Sequence, residues 1–79
     1  MGVRRTSIAE RLRVRHSELT RAERQLAQAI MKNYPASGLG TITTLAAAAN
    51  VSTPTVARLV QKIGFSGFSD FQVHLHQEL

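Results

Sequence analysis

The residues best equipped to do chemistry lie between Ser52 and Lys62. Ser52, Thr53, Thr55, Arg58, Gln61 and Lys62 are polar, none is acidic, and each can donate a hydrogen bond to a phosphate or to a base edge. Arg58 is best suited to reading sequence, because its planar guanidinium can hold both acceptors on a guanine edge. Lys62, later in the segment, suits a backbone phosphate. Free N–H groups near Ser52 and Thr53 would attract a phosphate if a helix starts there. A solvated polar face is the competing reading for each of these side chains.

Other chemistry finds little support. Between Glu23 and Asp70 there is no carboxylate, so the acid and base pair that most hydrolytic chemistry uses is missing, and nothing in the intervening stretch repels a phosphate. His74 and His76 stand two apart and point in different directions on a helix, which with His16 makes a poor metal set. Asp70 and His74 are one turn apart and read as a helix pair. The Gly64–Gly67 segment lacks the spacing of a phosphate-binding loop, and no strand precedes it. The expectation is therefore a protein that is not an enzyme and needs no cofactor or metal.

These residues must be positioned by helices, since no run alternates with period two for long enough to make a strand. Five helical segments emerge. The first covers about 6–15, with Ile8 and Leu12 on one face. The second opens with Thr20-Arg21-Ala22-Glu23, a capping box. It carries Ala22, Leu26, Ala29, Ile30 and Tyr34 inward, sets Arg21, Arg24, Gln28 and Lys32 outward, and ends before Pro35. The third is alanine-rich, from Ile42 to Ala49, and stops at Asn50, which tolerates a left-handed backbone. In the fourth, Ser52 is the cap, Pro54 sits in the first turn, and Val56, Leu59, Val60 and Ile63 form the buried stripe before Gly64. Ser69 and Asp70 open the fifth, with Phe71, Leu75 and Leu79 at four-residue spacing. Phe65, Phe68 and Phe71 are large apolar anchors, and Tyr34 reads as a partly buried core aromatic.

The third and fourth segments have the mechanics of a helix-turn-helix. Ala46 and Ala49 let one helix cross closely over the other, Asn50 makes the sharp turn, and Leu45, Val51, Val56 and Leu59 hold the crossing angle. An αα-hairpin in a bundle without a nucleic-acid role is the alternative.

At 79 residues the chain supports one small domain, 1–79, with the helix-turn-helix at about 42–63. Ten Lys or Arg face five Asp or Glu. Much of that excess lies in residues 1–15, where Arg4, Arg5, Arg11, Arg13 and Arg15 oppose Glu10 alone. An arm contacting DNA and a frayed, solvated tail both fit it. The absence of cysteine fits a reducing cytoplasm, and no stretch is apolar enough for a signal peptide or a membrane span.

Three blocks resemble the N-terminal domain of the RpiR family of bacterial regulators of sugar and sugar-phosphate metabolism: Leu19-Thr20-x-x-Glu23, Val51-Ser52-x-x-Thr55-Val56-x-Arg58, and Gly64-Phe65-Ser66-Gly67-Phe68-x-x-Phe71. The resemblance implies an all-α, five-helix, homeodomain-like helix-turn-helix bundle that binds specific DNA sequences. It implies a recognition face of Ser52, Thr53, Thr55, Arg58 and Lys62, to which Gln61 is added from the polar pattern. It also implies that any phosphosugar effector acts through a C-terminal sugar-isomerase-like domain that this sequence lacks. Thr53 to Lys62 would enter the major groove, and Arg4 and Arg5 would add backbone or minor-groove contacts. A homodimer on two half-sites follows from the few base contacts one small module makes. Ile8, Leu12, Leu75 and Leu79 are candidates for its interface or for the monomer core. The alternative from another class is a protein-interaction or dimerisation module with an incidental basic face. RNA binding is disfavoured because three of the four aromatics have core-like placement.

Overall fold

The computed structural model describes residues 7–32, 34 and 40–78. Their order is α1 (Ile8–Arg15), a single 3-10 turn (His16–Glu18), α2 (Arg21–Lys32), α3 (Ile42–Ala49), α4 (Thr53–Lys62) and α5 (Phe68–Gln77). The all-α, five-helix bundle expected from the sequence is the architecture found, with no strand among the described residues. The 3-10 turn between α1 and α2 was not expected. Arg4, Arg5, Pro35 and Leu79 lie outside the described residues.

Local chemistry sets the helix ends. Ser7 Oγ caps α1 through the Glu10 N–H at 3.1 Å. Thr20 and Glu23 form the reciprocal box at the start of α2, with Glu23 N–H donating to Thr20 Oγ1 at 3.2 Å and Thr20 N–H to Glu23 Oε1 at 2.8 Å. Thr41 caps α3, and Ser52 caps α4 by accepting the Thr55 N–H at 3.3 Å. Two helices stop in the same way. Asn50 is left-handed (φ 60°), and Val51 N–H returns to Ala46 O at 3.0 Å. Gly64 repeats this (φ 100°), with Phe65 N–H on Val60 O at 3.0 Å. An apolar residue just beyond each stop, Val51 or Phe65, packs on the core, which completes a Schellman-type ending.

The fifth helix begins one residue earlier than expected, at Phe68. Gly67 precedes it without a side-chain cap, and Asp70 instead reaches back from inside the first turn to accept the Ser66 N–H at 3.0 Å.

The core joins Ile8 and Leu12 of α1, Leu26, Ala27 and Ile30 of α2, Leu45, Ala46 and Ala49 of α3, Val56, Leu59 and Val60 of α4, and Phe71 and Leu75 of α5. Of the two placements open for Ile8, Leu12 and Leu75, a dimer interface or the monomer core, the fold shows the core. On α2, Ala27 is buried and Ala22 and Ala29 are half-buried, so the inner face is turned slightly from the expected one. Phe65 meets Phe71 edge-on, with ring centroids 5.8 Å apart. Tyr34 is partly buried against the same core.

Candidate nucleic-acid interface

Helix α3 packs on α2 and α4, and α4 also packs on α2 and α5, so α4 is held from three sides and presents one face outward. Its apolar stripe of Val56, Leu59, Val60 and Ile63 is buried, as the spacing predicts. Gln25 of α2 secures the turn between α3 and α4, its Nε2 donating to the Ala49 carbonyl at 2.8 Å.

Ser52, Thr53, Pro54, Arg58 and Gln61 are exposed, and Ala57 is half-buried among them. No carboxylate belongs to this face. Pro54 and Ala57 were missed by a reading that looked for polar groups. Their signal was present in the spacing, since 53, 54, 57, 58 and 61 share one side of a helix, and small apolar groups suit a thymine methyl.

Thr55 is the main correction. Expected on the outer face, it is turned inward and is 4% exposed. It stands next to Val56 and one turn before Leu59, on the side that packs, and its hydroxyl is satisfied locally by Ser52 Oγ at 2.9 Å. That partner offsets the cost of burying the hydroxyl. The hydroxyl also lies 3.4 Å from Arg58 Nη2, which donates to it.

Lys62 is half-buried and engaged. Its Nζ donates to Glu23 Oε1 at 2.7 Å and to the Glu18 carbonyl at 3.1 Å. Arg58 Nε lies 3.9 Å from Glu23 Oε2. The carboxylate-free stretch between Glu23 and Asp70 is therefore free of acid only along the chain; in space, Glu23 sits beneath the helix and offsets one of its two cations. Burial alone would raise the Glu23 pKa. The hydrogen bond and charge of Lys62, with the Thr20 N–H and hydroxyl, outweigh it and hold the carboxyl below its ordinary 4.5. The capping-box spacing made the role of Glu23 at the helix start legible, but not its burial. Its position three and seven residues before Leu26 and Ile30 was the available signal.

Much of the N-terminal charge is also engaged. Arg11 Nη1 donates to Ile63 O at the end of α4 at 2.7 Å, and its guanidinium lies 4.6 Å from the centre of the Phe65 ring. Arg13 pairs with Glu10 and Arg15 with Glu18. Arg11 thus secures the end of α4 from behind, a role invisible in a charge count. His74 Nδ1 lies 3.7 Å from Asp70 Oδ1, the helix pair that their spacing suggests.

A model of the helix-turn-helix domain of the rpiR family matches residues 6–79. The chain belongs to that family. It is similar to the HTH-type transcriptional regulator HexR of Pseudomonas aeruginosa, 37% identical over 73 residues, which is 92% of this chain and 26% of that protein. HexR of Escherichia coli is 33% identical over 73 residues, 92% of this chain and 25% of the relative. The bifunctional protein glk of Burkholderia mallei is 38% identical over 71 residues, 89% of this chain but 11% of its own length. The chain thus spans about a quarter of the HexR proteins, and the glk likeness concerns the helix-turn-helix region of a much longer protein. The rpiR-family domain is of the DNA-binding, regulatory kind. Among its described residues no helix is long and apolar enough to cross a membrane.

Proposed function

We propose that residues 1–79 form one DNA-binding domain that sets α4 in the major groove of operator DNA and helps to regulate genes of sugar or sugar-phosphate metabolism in the bacterial cytoplasm. The observation that carries the reading is the exposed, acid-free face of Thr53, Pro54, Ala57, Arg58 and Gln61 on a helix fixed from three sides. Thr53 and Arg58 are nearest the bases in the usual docking, and Gln61 lies one turn further along. Ser52 and the N–H groups at the helix start receive a phosphate. Thr55 contributes through Ser52 and Arg58. Lys62 reaches a phosphate only by sharing or leaving Glu23. Arg4 and Arg5 extend the contact to the backbone or minor groove.

Two copies acting together on two half-sites supply the contacts that one module lacks. The sugar assignment rests on membership of the family, and any response to a phosphosugar is assigned to no residue of this chain. Arg58→Ala tests the reading: binding to a site selected from random duplexes weakens by about 1–3 kcal/mol and preference is lost at one base position. An equal loss on all sequences would make Arg58 a phosphate contact. No binding of wild type to random duplex at low salt would favour a protein-interaction module.

A further inference from the structure

Glu23 is 1% exposed, and its two oxygens are treated unequally. Oε1 accepts both the Thr20 N–H and the Lys62 ammonium. Oε2 is buried and has no hydrogen-bond partner, and Arg58 Nε is 3.9 Å away. An anionic oxygen left this way is costly unless a donor is close. Arg58 is 61% exposed in its side chain, long, and tethered to its own helix only by the weak contact with Thr55. A fork must be oriented before it can read a base edge, and a carboxylate behind the guanidinium is the arrangement that orients it.

We propose that Glu23 of α2 is a positioning residue for sequence readout: its spare oxygen closes on Arg58 Nε when DNA is bound, so that the two terminal nitrogens of Arg58 point together at one base. Glu23 touches no DNA. Lys62 and the Thr20 N–H hold the carboxylate from its other oxygen, which keeps Oε2 aimed at α4. One group thus caps α2, docks α4 and sets the angle of the reading side chain. The inference rests on Arg58 reading a base, as proposed above.

The test measures binding of the full chain to a duplex recovered from a random library, with each base pair at the affected position substituted in turn. Glu23→Gln keeps a carbonyl for the Thr20 N–H but removes the charge. Its discrimination at the Arg58 position falls by about tenfold while other positions keep theirs. Combined with Arg58→Ala, it costs no further discrimination. Unchanged discrimination in folded Glu23→Gln overturns the proposal, as does additive loss in the double variant. If Arg58→Ala alone leaves the base preference intact, the underlying reading fails and this inference fails with it. Should Glu23→Gln not fold, the wild-type complex decides: slowed solvent exchange of the Arg58 Nε–H on binding the selected duplex supports the proposal, and exchange as fast as in the free chain overturns it.

Discussion

Glu23 shows how much one residue can join in so small a protein. Its carboxylate ties the first turn of α2 to the last turn of α4, 39 positions away in sequence. Because its folded pKa is lowered, it stabilises the fold fully above its unfolded value of about 4.5, and that contribution is lost as pH falls through the folded pKa. Denaturation midpoints should therefore fall as pH is lowered below about 4.5. In Glu23→Gln the baseline stability is lower and the slope in that acid window shallower. Identical slopes for the two proteins would show that the fold does not lower the Glu23 pKa. The pair was beyond the reach of sequence patterning, because spacing rules report neighbours on one helix and not partners on two. Thr55 was misjudged for a related reason: a polar residue beside a polar stripe reads as exposed unless its hydroxyl partner, here Ser52, is counted.

At the scale of elements, the sequence was far more informative. The stripe Val56, Leu59, Val60, Ile63, the cap Ser52, the left-handed Asn50 and the stop at Gly64 each follow from a local rule, and together they define α4 and its turn. Boundaries shifted at two starts: α1 begins after its cap Ser7 and not at about 6, and α5 begins at Phe68, where Asp70 works from inside the helix on the Ser66 N–H. Gly64 carries a testable requirement. At φ 100° any Cβ is strained, and one built there would meet Arg11 Nη1 at 2.7 Å, the nitrogen that serves the Ile63 carbonyl. Gly64→Ala should therefore cost about 1–2 kcal/mol from the backbone, with more if Arg11 is displaced. Chemical denaturation would measure it, and an unchanged midpoint would contradict this account of how α4 ends.

For the whole molecule, the charge excess has been redistributed by the fold. Arg11 belongs to the core architecture, Arg13 and Arg15 have acidic neighbours, and Lys62 is shared with Glu23. Among the N-terminal arginines, Arg4 and Arg5 are therefore the ones to test as an arm. Deleting residues 1–15 would remove Ile8 and Leu12 from the core, so substitution is the cleaner experiment. Replacing Arg4 and Arg5 with Gln should reduce the salt dependence of DNA binding by about 0.9 for each phosphate that is no longer neutralised. An unchanged salt slope would show that neither touches a phosphate. The central claim, that α4 reads operator DNA through an exposed face anchored by Arg58, is tested most directly by selecting bound sequences from a random duplex library with wild type and Arg58→Ala in parallel. Wild type should enrich two related half-sites about 10 base pairs apart. Arg58→Ala should lose the preference at one position in each. Failure of wild type to enrich any sequence, or identical motifs from both proteins, would contradict it.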